Sequence, residues 1–434
     1  MPSRIRLTTG NTDPYESNVR YYSRRMPGTF QTGRNAIVTD EAGNRYIDFL
    51  SACGSLNYGH NHPRIKAPAV EYLLGDGILN SLDLHTAARR TFIHKFRSVI
   101  LEPRGLDYKL QFTGPTGTNA VEAALKLARK ITGRATVAAF TNAFHGVSLG
   151  ALAATANRAA RSASQALLHG VVRLPYDGYK GANADDLDRF EDMARDGSGG
   201  VEPPAAFIVE TVQGEGGLNV ASVAWLRRLS EIARRMGALL IVDDIQAGCG
   251  RTGPFFSFER AGIIPDVVCL SKSLSGMGLP MSLVLLRPDR DAWAPGEHSG
   301  TFRGSNLAFV TAAAALDFWT EREFLAGIAD CTGVIERWIG RIVAEHPHLG
   351  LRPKGLGLML GIEFGSANSA VRIARAAYER GVLVETAGPE DEVLKLMPPL
   401  TIETDVLGQG LSRLEDAIRA EVAAPDAMRP SKAA

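Results

Sequence analysis

Cysteine is scarce in this chain: there are four, Cys53, Cys249, Cys269 and Cys331, and no two are spaced as C-x-x-C. That scarcity argues against a disulfide scaffold and a cysteine-held zinc site, and no metal is expected. An excess of one charge is lacking too, since 48 basic residues face 47 acidic ones for a net +1. Such balance leaves no electrostatic footprint for nucleic acid or an anionic membrane surface. No run approaches the roughly 18 apolar residues of a membrane span. The first residues, MPSRIRLTTGNTDPYESNVRYYSRRMP, lack the apolar segment of a secretory signal. The expectation is a cytoplasmic protein whose partners are small molecules.

What is abundant is glycine, 45 residues, against an ordinary hydrophobic share of 45%, a mixture that favours the many tight turns of an α/β fold. At 434 residues the chain exceeds the usual limit of a single core, so two packed units are expected. The stretch QTGRNAIVTDEAGNRYIDFL alternates around a turn at Glu41 to Asn44 and predicts a hairpin in an N-terminal arm. From Lys109 onward the β-rich runs YKLQFTG, TVAAFTN, AAFIVET, ALLIVDDI, DVVCLS and MSLVLL alternate with helical patterns, predicting a mostly parallel, doubly wound sheet. Trp225, Leu226, Leu229, Ile232, Ala233 and Met236 form one helical stripe. A single long Ala-rich helix, NLAFVTAAAALDFWTEREFL, is then expected, followed by GLGLMLGIEFG as turn and strand, and by a smaller α+β unit. The expected organisation is an arm over 1–60 contributing to the small domain, a large domain over 61–305, the small domain over 306–425 and a frayed tail over 426–434.

Two segments carry most of the chemistry. Lys272, in DVVCLSKSLSGMGLP, ends a buried β-like run just before a Gly-rich turn. A lysine there is costly as a buried cation unless its amine is used, for example in imine formation with an aldehyde cofactor. Asp243 ends the strand-like run ALLIVDDI, at the edge where open α/β sheets bind ligands. Strand alternation sends Asp244 to the opposite side. A carboxylate at Asp243 could keep a pyridine nitrogen protonated and make the ring an electron sink. In QFTGPTGTNAVEAALKLARK, Thr116, Gly117 and Thr118 open a helix whose free N–H groups and dipole suit a phosphate, although a plain capped turn reads the same way. Phe144 either stacks on a planar ligand or packs in the core, and the neighbouring His145 can equally be a satisfied buried histidine.

Taken in order, TGPTGTNAVEAALKLAR, AFHG, VETVQGEGG, IVDDIQAGCGRTG, LSKSLSGMGLP, GTFRGSN and LMPPL resemble the class III aminotransferases, pyridoxal-phosphate enzymes of fold type I, over nearly the whole chain. The resemblance implies a large cofactor-binding domain and pyridoxal 5'-phosphate held by Lys272, with Asp243 on the pyridine nitrogen and Gln246 near the phenolic oxygen. It also places Phe144 on the ring, His145 and Glu210 beside the cofactor, and Thr116, Gly117 and Thr118 at the phosphate. Thr301 in GTFRGSN resembles the threonine that reaches the neighbouring subunit's phosphate, which implies a homodimer at least, with a tetramer left open. Glu215 matches a glutamate that in ω-aminotransferases pairs with an arginine; here that position is Lys395, in LKLMPPL, which weakens a two-point grip on a carboxylate. Arg303 is a second candidate for carboxylate binding.

Within the family, DFLSACGSLNYGHNHP, LDLHT, FTNAFHG, PYDGY and LKLMPPL are similar to diaminobutyrate–2-oxoglutarate transaminases. That similarity implies exchange of an ω-amino group between L-2,4-diaminobutyrate and a keto acceptor, for ectoine or other diaminobutyrate-containing products. Ornithine or 4-aminobutyrate transamination, and aminomutase chemistry on the same scaffold, remain alternatives.

Overall fold

The computed structural model describes residues 15–365 and 368–423; the expected tail at 426–434 and the start of the arm lie outside them. Each β-rich run that is followed by a helix must return to the same end of the sheet, so neighbouring strands run parallel. Seven strands form the central sheet: β4 (Lys109–Gly114), β5 (Val137–Phe140), β6 (Val171–Leu174), β7 (Ala206–Val209), β10 (Leu239–Asp243), β11 (Val267–Leu270) and β12 (Ser282–Leu286). Their spatial order is β4-β12-β11-β10-β7-β5-β6. β12 alone opposes its neighbours; the remaining pairs are parallel. β6, an edge strand only partly buried, was not among the six runs expected from the sequence.

Both faces of this sheet are covered, which explains why β7, β10, β11 and β12 are buried at every position. Alternation sorts the side chains. Leu239 and Ile241 pack with Val121, Ala124, Leu125 and Ala128 of the helix Gly117–Thr132. Leu240 and Val242 join Trp225, Leu226, Leu229, Ile232 and Ala233 of the helix Val223–Arg235. The fold is thus a mixed α/β architecture with a large, mostly parallel central sheet.

The N-terminal hairpin of β1 (Phe30–Arg34), β2 (Ile37–Asp40) and β3 (Arg45–Asp48) is extended by β15 (Val382–Leu383), parallel to β3. Beside it, β13 (Arg352–Leu356), β14 (Met359–Glu363), β17 (Val393–Leu396) and β16 (Glu385–Ala387) form an antiparallel sheet in that order. A short ribbon, β8 (Val212–Gln213) with β9 (Asn219–Val220), follows β7.

The expected long helix from Asn306 is two helices. The α-helix Asn306–Ala315 gives way to a tight turn over Leu316–Thr320, Glu321 is extended, and a second helix runs Arg322–Glu345. The break sets Phe318 and Trp319 into an aromatic cluster with Tyr58, Phe255 and Phe324. There the Trp319 Nε1–H donates to Tyr58 Oη at 2.9 Å, and this packing overrides the helix preference of the alanine run. Among the described residues, no helix is long and apolar enough to cross a membrane.

Candidate active site

The C-terminal ends of five parallel strands lead to one cavity. β10 ends on Asp243, β11 leads through Ser271 to Lys272, β7 to Glu210, β5 to Phe144 and β4 to Gly117. The cavity measures about 180 Å3 and is lined by Gly117, Thr118, Phe144, His145, Gly146, Glu210, Glu215, Asp243, Ile245, Gln246 and Lys272. This is where an open α/β sheet, at its change of strand order, presents its ligand site.

Asp243 is buried and tightly held. His145 Nδ1 lies 2.7 Å from Oδ2, and the Ile245 N–H donates to Oδ1 at 3.2 Å. Because a carboxylate only accepts, Nδ1 is the protonated ring nitrogen in this pair; the buried Nε2 has no hydrogen-bond partner among the described residues. Asp244 points the other way, accepting from the Ser257 N–H at 3.1 Å, and burial pushes its carboxyl up to about 7. Glu210 takes the Phe144 N–H at 2.9 Å and the Gly214 N–H at 3.3 Å. Burial raises it to about 7, against the pull of His145 and with the push of Asp243. Glu210 therefore pins two backbone segments of the cavity wall.

Lys272 has a left-handed backbone, with φ of 48°, a conformation that costs a non-glycine residue on the order of 1–3 kcal/mol. Ser271 Oγ, donating to the Met281 carbonyl at 2.7 Å, braces the preceding residue. Among the described residues no hydrogen bond or ion pair engages the Lys272 amine, which lines the cavity. On the helix side, Thr116 caps Gly117–Thr132 by exchanging contacts with Asn119, and Thr118 Oγ1 meets Ser148 Oγ. A Cβ at Gly117 would come within 2.9 Å of Ile245, so glycine lets the start of the helix pack closely against that side chain.

The opposite wall carries Glu215. Its Oε1 accepts from Gln246 Nε2 at 3.2 Å and from Lys395 Nζ at 2.9 Å. Burial pushes the Glu215 carboxyl up, but the ammonium groups of Lys395 and Lys272 and these bonds outweigh it, holding the group at about 2. Lys395 is wholly buried, and it has a second acid, Glu385, at 2.9 Å. Burial disfavours the Lys395 cation; the two carboxylates more than compensate and raise its pKa. Glu385 escaped the sequence reading, as did Cys53. Tyr22 of the N-terminal arm donates to Glu385 Oε2 at 3.0 Å. Thr301 and Arg303 are not in this cluster: the Thr301 carbonyl takes Asn80 Nδ2 at 3.2 Å, and Arg303 is paired with Asp83 at 2.5 Å.

A free amine, a carboxylate locked by a histidine, and a helix N-terminus converging on one cavity fit pyridoxal phosphate. Residues 21–418 match the family model of class III aminotransferases, and the chain belongs to that family. It is 53% identical over 404 residues to a diaminobutyrate–2-oxoglutarate transaminase from Vibrio parahaemolyticus, covering 93% of this chain and 96% of that one. It is 50% identical to a protein of the same name from Halalkalibacterium halodurans, over 94% and 95% of the two chains. Among solved structures it is similar to the ornithine aminotransferase of Toxoplasma gondii, with a TM-score of 0.81 at 27% identity over 94% of this chain and 93% of that one. A pyridoxal-phosphate-bound amine transaminase from an uncultivated Pseudomonas species gives 0.80 at 26% identity over 94% and 98%. The protein is an aminotransferase whose cofactor is pyridoxal phosphate, acting between an amino donor and a keto acceptor.

Proposed function

We propose that the chain transfers the 4-amino group of L-2,4-diaminobutyrate to 2-oxoglutarate, interconverting these with L-aspartate 4-semialdehyde and L-glutamate. The observation that carries the reading is the end-to-end similarity, at about half identity, to relatives named for that reaction. A place in the synthesis of ectoine or another diaminobutyrate-derived product belongs to the same proposal.

Each residue then has a physical task. The N–H groups at Gly117 and Thr118, at the positive end of the helix dipole, hold the phosphate. Phe144 flanks the ring, and Gln246 stands near its phenolic oxygen. Asp243, fixed by His145, presents negative charge to the pyridine nitrogen, and Glu210 keeps the Phe144 loop in place. When bound, pyridoxal phosphate supplies an aldehyde for the amine and a ring that takes up the electron pair released at the substrate carbon. Lys272 anchors the cofactor, and its Nζ carries the proton to and from that carbon. Thr301, outside its own cavity, is assigned to the neighbouring subunit's phosphate in a homodimer.

The test is a single-turnover measurement of the cofactor's absorption with diaminobutyrate, ornithine, 4-aminobutyrate and glutamate in turn. Fast conversion by diaminobutyrate and glutamate alone is expected. Faster conversion by ornithine or 4-aminobutyrate would replace the donor, and amine exchange without release of a keto acid would indicate an aminomutase.

A further inference from the structure

The two acids on Lys395 are held in different ways. Glu385 stands directly opposite it on the neighbouring strand, in register, and is only 3% exposed. Its other oxygen accepts from Tyr22 Oη at 3.0 Å, with Cys53 Sγ 3.7 Å away. Glu215 belongs to the short loop after β8, and its side chain is 34% exposed, on the cavity. Its backbone is pinned, the carbonyl accepting from the Gly388 N–H at 2.9 Å. The Glu215 side chain can therefore turn off Lys395 without its backbone moving, which leaves Gln246 Oε1, 3.4 Å from Nζ, as the cavity group still on the lysine.

A lysine uncovered in this way, with no acid beside it, sheds its proton in a low-dielectric wall, whereas an arginine keeps its charge unaided. We propose that Glu385 is a positioning residue that keeps Lys395 cationic while Glu215 is turned away, so that Lys395 can receive a carboxylate of the glutamate and 2-oxoglutarate pair. The inference rests on the reading of 2-oxoglutarate as acceptor. It explains why lysine suffices here: the strand-fixed acid does for an ammonium what delocalisation does for a guanidinium. The charged and titratable groups around the pair are Glu215 from the loop, Lys272 from the turn after β11, and Tyr22 and Cys53 from the N-terminal arm.

The experiment uses the holoenzyme of Glu385→Gln, with the two half-reactions measured separately from pH 7 to pH 9. The KM for 2-oxoglutarate should rise about 10-fold, and further as pH increases, while the diaminobutyrate half-reaction changes far less. Tyr22→Phe, which leaves the acid in place, should shift the same KM by about 3-fold. Lys395→Arg in the Glu385→Gln background should restore it. An equal loss in both half-reactions, or a KM for 2-oxoglutarate that is unchanged and flat with pH, would overturn the role of Glu385. A wild-type enzyme that turns over with diaminobutyrate but ignores 2-oxoglutarate would overturn the acceptor assignment, and this inference with it.

Discussion

The cavity has a buried charge cluster on each side, and the two are built on opposite plans. On the side of the central sheet, Asp243 has one side-chain partner, His145; Asp243 closes the buried strand β10, and His145 is buried in the loop after β5. On the other side Lys395 is shared between two carboxylates, one fixed on a strand and one on a loop facing open space. A one-to-one pair with rigid supports suits a cofactor that keeps its place. A shared cation with one releasable partner suits substrates that come and go. The difference teaches which wall of the cavity is held by the packed sheet and which carries, on the proposed reading, a side chain that can turn aside.

The largest expected effect comes from the side that does not move. Lys272→Ala should reduce transamination by about 10^4-fold or more, because on the proposed mechanism it removes both the anchor and the proton carrier; steady-state rates with added cofactor would check it. Asp243→Asn attacks the same plan, and a loss of about 10^2 to 10^3-fold in kcat with the fold intact is expected. On the shared side the effect falls first on folding. Lys395→Met strands two buried or half-buried acids and should cost about 3–5 kcal/mol in denaturant melts at neutral pH, where removing one partner of a buried ion pair is most damaging. A smaller loss would mean that one acid takes up a proton and that the cluster is softer than its geometry implies.

The smallest effect separates the two faces of β10. The carboxyl of Asp244 is raised by burial from its ordinary value to about 7, so the native state binds a proton that the unfolded chain has released between about pH 4 and pH 7. Stability is therefore lost as pH rises through that window. Asp244→Asn should remove this dependence and stabilise the protein at pH 8 relative to pH 5 by on the order of 1 kcal/mol, read from paired melts.

Much of this was legible in the sequence where local chemistry and periodicity agreed. Lys272 and Asp243 announced themselves because an ionisable group closing an apolar strand run needs a reason, and six of the seven central strands coincide with β-rich runs of the sequence. β6 did not stand out because Val171, Val172 and Arg173 are only partly buried at the sheet edge, so its pattern is weak. The helix break at Leu316–Thr320 was hidden because aromatic packing against Tyr58 and Phe255, remote in sequence, decides it. Glu385 was missed for a related reason: its partnership with Lys395 is set by the register of β16 on β17, and no motif surrounds it. Arg303, promising in its motif, is occupied by Asp83, a contact that no spacing rule anticipates.

The pairing of β15 with β3 has a consequence for biosynthesis. Ile47 meets Val382, so during synthesis the hairpin keeps a bare edge until the chain has been made as far as β15. An open strand edge invites pairing with the wrong neighbour. The delay makes the arrival of β15 the step that closes this edge of the four-stranded sheet.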